Sequence, residues 1–211
     1  MNEFTIFLLK SGIHQNMLFI LLALPLAAML VLFAKEIIGI KSFNLYTTSL
    51  GAIALISIGS ILGIILFLLI ILVDYIVEYF IKDLKLHFAS KIAITLSTIS
   101  LVTIILLALL HIYLGVSINV SPFAIILLIL LTENLSFTKI NKGIKNGNII
   151  YMETIILSLI IYLILDNSFL ETVLFKYPYI SIVAIIIDVY IGKTTSLRLR
   201  EIYRFRNIIK E

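Results

Sequence analysis

The sequence predicts an all-α integral membrane protein, a seven-transmembrane-helix bundle with a short second and fifth span and a basic amphipathic C-terminal helix. Three observations predict it. The mean hydropathy is +1.19, with 62% hydrophobic and 13% charged residues, far from the balance of a soluble globular chain. Long uncharged runs recur from end to end, and each holds one or two helices of roughly 20 residues. Fourteen of the 16 lysines and arginines fall into four gaps between these runs: Lys35/Lys41, Lys82/Lys85/Lys91, Lys139/Lys142/Lys145, and the tail from Lys193 to Lys210. The alternate gaps, at residues 58–60, 115–121 and 165–177, hold only Lys176, and the N-terminal stretch holds only Lys10. Cytoplasmic loops keep positive charge, so this alternation gives orientation as well as class. The expectation is a multi-pass protein of the cytoplasmic (inner) membrane, N-terminus outside and C-terminus in the cytoplasm.

The first span is residues 15–34. A signal peptide would have a shorter apolar region ending at a small-residue cleavage site. This run instead stays apolar to Ala34 and then meets Lys35 and Glu36 directly. The apolar stretch from Ser42 to Ile81 is too long for one helix, which would run about 60 Å, twice the hydrocarbon thickness. Ser57-Ile58-Gly59-Ser60 is the expected break, giving a short second span at 43–58 and a third at 61–81. The next uncharged run divides at Asn119-Val120-Ser121-Pro122, because proline removes a donor and favours an extended residue before it. Spans four and five are then 91–114 and 123–131. A polar loop at 132–147 contains Asn146-Gly147, a turn pair. Spans six and seven follow at 148–165 and 177–191.

Composition excludes several chemistries. The chain has no cysteine, which removes disulfides, thiolate metal sites and thiol nucleophiles. His14, His87 and His111 have no ligand-like spacing, so neither a metal nor another cofactor is expected. The basic residues flank apolar runs, and anionic lipid headgroups rather than nucleic acid are their expected partners. There is no His-Glu-x-x-His helix and no Gly-x-Ser-x-Gly elbow. Gly59-x-x-x-Gly63 is a helix-packing motif.

Ionisable residues at membrane depth are functional candidates by default, and five qualify: Asp74, Glu78, Glu133, Glu153 and Asp188. Asp74 and Glu78 lie one turn apart on one helix face, as an interfacial acidic stripe pairing with Lys82 or Lys85 or as a functional pair. Glu153 and Asp188 are read as structural charges that reach the cytoplasmic interface or pair with lysines, against a role in a cavity. Glu133, in Leu131-Thr132-Glu133-Asn134-Leu135-Ser136, follows a very short span. It is either a helix-ending cap or part of a broken, cavity-lining element of the transporter kind. In the tail, Ile202, Phe205 and Ile209 share one helical face and Arg200 and Arg204 another, which suits an interfacial anchor.

Three stretches together resemble a known family. They are Phe33-Ala34-Lys35-Glu36-Ile37-Ile38-Gly39-Ile40-Lys41-Ser42-Phe43, Leu131-Thr132-Glu133-Asn134-Leu135-Ser136, and the tail from Gly192 to Arg206. In this order and spacing they are similar to the bacterial seven-transmembrane proteins usually fused to an inactive transglutaminase-like domain. The tail is the most specific part, with Gly192, Thr195, Arg198, Glu201, Arg204, Phe205 and Arg206 on the family's pattern. Two departures stand out. Asn44-Leu45-Tyr46-Thr47-Thr48 replaces a Gly-Thr-Phe-x-Pro stretch, and Ser196 replaces a glycine. The expectation is a membrane domain alone, without the transglutaminase-like domain, and an outside N-terminus agrees with the extracytoplasmic placement that the family gives that domain.

The resemblance implies a non-catalytic membrane subunit in a peptide-ligating, peptide-modifying or peptide-processing system. Its implied partners are an ATP-grasp glutamate-ligase-like enzyme or a retropepsin-like protease, with homo-oligomerisation left open. The implied working face comprises Lys35, Gly39, Lys41, Glu133, Gly192, Thr195, Arg198, Glu201, Arg204 and Arg206. Two alternatives stay open: a small transporter or channel for an anionic peptide-like product, with Glu133, Glu153 and Asp188 converging on a cavity, and an intramembrane enzyme, which needs two carboxylates within hydrogen-bonding reach.

Overall fold

A computed structural model describes residues 3–42, 44–81, 88–114, 121–131 and 144–194, and for some helical residues, Glu78 among them, the backbone alone. Nearly everything described is helix: α1 (Glu3–Lys10), α2 (Gln15–Phe33), a π-helical turn (Ala34–Ile38), α3 (Leu45–Ile58), α4 (Ser60–Ile81), α5 (Phe88–Leu114), α6 (Pro122–Leu131), α7 (Ile144–Leu165), α8 (Ser168–Lys176) and α9 (Ile180–Thr194). Two of these are long and apolar enough to cross a membrane, Gln15–Ile38 and Gly147–Leu165. Ser168–Lys176 and Ile180–Lys193 make a third if taken as one span, although they meet at 98°. Shorter apolar stretches are Leu45–Ile58, Gly63–Val77, Ala93–Leu109 and Pro122–Leu131. The 14-residue α3 is only about 21 Å long, below the roughly 30 Å of the hydrocarbon layer.

Local chemistry explains most boundaries. Pro25 removes a donor inside α2, and Ser181 Oγ donates to Leu22 O at 2.9 Å in the turn that the proline opens. The π-helical turn ends at Gly39, whose φ of 89° suits a residue without a Cβ. Both Gly39 N and Ile40 N donate to Ala34 O, and the chain then leaves the helix axis towards Lys41. At the start of α3, Thr47 and Thr48 both donate to Asn44 O. The break after α3 falls at Gly59, with φ 63°. Gly59 and Gly63 therefore do not share one helix. Gly63 instead lets the start of α4 close on the Ile58 side chain and the Leu55 carbonyl.

Two expectations are corrected, and one helix is added. Asn146-Gly147 lies in the first turn of α7, not in a loop, because Gly147 is buried and packing overrides the local turn preference. The gap at 165–177 holds a helix, α8, over residues 168–176. Asn167 caps α8 by accepting from Phe169 N at 3.0 Å, and Glu171 and Lys176 complement the dipole at its two ends. Residues 3–10, before the first long apolar run, are helical too, again with an acid in the first turn and a lysine in the last.

Helices α3 and α7 pack together and divide the core in two. On one side α2, α8 and α9 close around Ala23, Ala27, Ala34, Ala52, Leu157 and Ala184. On the other, α4, α5 and α6 close around Leu55, Phe67, Ile99, Leu128 and Ile155. The alanines let helices approach closely, which dispersion between helices in lipid requires.

Candidate functional site

The working face read from the sequence begins at the π-helical turn. Lys35 is half-buried within that turn, and Gly39 is buried at its end. Two residues later the Lys41 N–H donates to a Glu153 carboxylate oxygen of α7, while the Lys41 side chain is exposed. Glu153 thus engages the main chain at Lys41. The α2–α3 turn is tied to the first half of α7 with its cation turned outward.

Two residues before Glu153, Tyr151 does a parallel job for α4. Its hydroxyl donates to Asp74 Oδ2 at 3.2 Å, and Asp74 is 0% exposed. Asp74 therefore faces into the bundle, while Lys82 and Lys85, its expected partners, lie outside the described residues. The carboxylate is inside the bundle because α4 turns it towards α7, in the same layer as Tyr151 and Ile70. The Glu78 side chain lies outside the described ones. On a helix, positions two apart diverge by about 200°. One turn of α7 therefore addresses α4 with Tyr151 and the α2–α3 turn with Glu153.

Deeper along α7, Ser158 Oγ donates to Thr48 O of α3 at 3.2 Å. Gly51 of α3 stands opposite, where an added Cβ would meet Leu131 Cδ1 at 2.2 Å and Ser158 Oγ at 3.2 Å. Glycine lets α3 approach Ser158 of α7 closely and leaves room for the end of the Leu131 side chain of α6. Tyr151, Thr48, Ser158 and Gly51 were not singled out by sequence. The one available signal was a tyrosine two residues ahead of a span glutamate.

Asp188 is half-buried on α9, one turn beyond the buried Ala184 that packs towards α2. Its Oδ1, like Ser42 Oγ, is buried with no hydrogen-bond partner among the described residues. Gly192 is exposed near the end of α9, with open space where a Cβ would stand. Glu133, Thr195, Arg198, Glu201, Arg204 and Arg206 lie outside the described residues, as does the expected amphipathic tail helix.

No curated protein and no solved structure matches this chain. Residues 1–209 match one family model, nearly the full length, and the apolar, all-helical architecture agrees with it. This multi-pass membrane protein belongs to the family described as seven transmembrane helices usually fused to an inactive transglutaminase.

Proposed function

We propose that the chain is a non-catalytic membrane subunit of seven crossings, with its N-terminus outside and its C-terminus in the cytoplasm of the inner membrane. Its lysine-rich end docks or serves a peptide-ligating, peptide-modifying or peptide-processing enzyme of the ATP-grasp glutamate-ligase-like or retropepsin-like class. The observation that carries this reading is the tie between Glu153 and the Lys41 main chain. A turn fixed through its backbone holds Lys41 ready for a partner, and preorganisation lowers the ordering cost of association. Lys35, Gly39, Glu133 and the tail residues Gly192, Thr195, Arg198, Glu201, Arg204 and Arg206 complete the proposed surface. Membership in a family whose usual fused domain is inactive supports a role without catalysis.

Two experiments test it. The chain has no cysteine, so single cysteines at Ser60, His87 and Glu211 report sidedness to an impermeant thiol reagent. Labelling from outside is expected at Ser60 alone, and outside labelling at His87 would overturn the orientation. The second is co-purification of the partner enzyme from membranes at matched expression. Arginine's planar fork pairs bidentately with carboxylates in a way lysine cannot reproduce. Arg198→Lys and Arg204→Lys are therefore expected to lose the partner, and Arg200→Lys to keep it. Equal retention by all three would reduce the tail to a lipid anchor.

A further inference from the structure

At the opposite end of the bundle, α1 and α8 form a small ledge that the docking role does not use. Thr5 Oγ1 of α1 donates to Phe175 O of α8 at 3.1 Å, and Gln15 Nε2, opening α2, donates to Glu171 Oε1 of α8 at 3.2 Å. Beneath the ledge Leu174 and Phe175 are buried, and Phe175 packs on Phe19 of α2 with ring centroids 6.3 Å apart. The upper faces are the reverse of what water favours. Phe7 is 66% exposed and Phe169 70%.

We propose that α1 and α8 lie flat in the membrane interface, at the boundary between headgroups and acyl chains of the leaflet on that side. The geometry is specific. α8 meets α9 at 98°, so with α9 crossing the membrane, α8 runs in its plane. The bond from Thr5 to Phe175 holds α1 at the same depth. Each helix carries an acid in its first turn and a lysine in its last, groups at home among headgroups but costly deeper. Tyr177 and Tyr179 pack at the corner between α8 and α9, ring centroids 5.6 Å apart and planes tilted by 60°, with Lys176 Nζ 5.2 Å from the Tyr177 ring centre. Tyrosines paired with a snorkelling lysine are what a helix corner at the headgroup level carries. An apolar face flanked by such charges binds the interface rather than the hydrocarbon centre.

The inference rests on α9 crossing the membrane, as proposed above, and the test separates the two. The chain has no tryptophan, so Phe7→Trp, Phe169→Trp and Ile186→Trp each place one fluorophore, at exposed positions that tolerate the change. Each full-length variant is reconstituted into phosphatidylcholine vesicles whose lipids carry bromine either high or low on the acyl chain. For Trp at positions 7 and 169, emission is expected to be blue-shifted and to lose more intensity to the high bromines than to the low ones. Trp at position 186, midway along α9, is expected to lose more to the low bromines. Unquenched, water-like emission at 7 and 169 with deep quenching at 186 would leave the crossing intact and overturn the ledge, pointing to an aqueous or protein-covered surface. Deep quenching at 169 would overturn it in favour of a re-entrant segment. Absence of deep quenching at 186 would overturn both readings.

Discussion

The two ends of the bundle are fastened by different physics. At the lysine-rich end, α7 reaches its neighbours through polar groups: Tyr151 to Asp74, Glu153 to the Lys41 main chain, and further in, Ser158 to Thr48 O. At the ledge end, apolar side chains join the pieces, Leu174 and Phe175 against Phe19 and the α2 surface, with hydrogen bonds from Thr5, Gln15 and Ser181 beside them. Lipid gives helices no hydrophobic reason to associate, so dispersion, small residues and hydrogen bonds must do it. Hydrogen bonds fix direction, and dispersion fixes only closeness. The polar end is thus suited to presenting a defined surface, and the aromatic end to carrying packing energy beside water.

That contrast ranks the effects of substitution. Leu174→Ala, at a fully buried position of the ledge end, is expected to be the largest. Leucine-to-alanine changes in closed sites remove about 2 to 5 kcal/mol. Denaturant unfolding of the purified protein in detergent measures it, and a loss below that of the polar-end variants would reverse the ranking. Gly51→Val comes next, at about 1 to 3 kcal/mol, the range for overpacking. Leu131 can swing its end away, whereas the larger valine side chain would also press on Ser158 and push α3 from α7. Gly51→Ala should fall clearly below Gly51→Val in the same assay. Equal losses would mean that the close approach does not matter.

The Asp74–Tyr151 bond should be worth less than either. Interhelical hydrogen bonds in membrane proteins average about 0.6 kcal/mol in double-mutant cycles, because the unfolded chain in the membrane also finds partners. A cycle of Asp74→Asn and Tyr151→Phe is expected to return a coupling near that value. A coupling of several kcal/mol would mark Asp74 as a buried charge that depends on its tyrosine.

Much of this contrast was legible in the sequence at one end and little at the other. Uncharged runs and lysine-bearing gaps led to the segments that became α2, α3, α4, α5, α6, α7 and α9, and Gly59 marked a break because no forty-residue helix fits a bilayer. Length and charge act along the chain, so sequence displays them. α1 and α8 were missed because both are short and carry charged ends, which reads as loop until their buried faces are seen. The Tyr151 partner of Asp74 was hidden for a different reason. The distance of Asp74 from the end of α4 suggests the interface, and only the rotation of α4 against α7 puts it inside. The pairing of Glu153 with a backbone N–H was equally hidden, since lysine side chains were the visible partners.

Glu153 offers a comparably small stability effect and the sharpest test of what the polar end is for. The bond is at a half-exposed site, and water can satisfy either group when it breaks, so Glu153→Ala should change unfolding by about 1 kcal/mol or less. Geometry should suffer more than stability, because the Lys41 turn loses the contact that sets its direction. The donor at Lys41 is a neutral N–H, so this bond needs an acceptor oxygen rather than a negative charge. Glu153→Gln keeps that oxygen and should hold both the turn and the partner enzyme near the parent level in co-purification from membranes. Glu153→Ala should lose the partner while keeping its abundance. If Gln fails as completely as Ala, the charge itself is what matters, and Glu153 acts on a cation instead of on the backbone of the turn. If Ala retains the partner, the bond is dispensable, and the two ends differ in chemistry without differing in purpose.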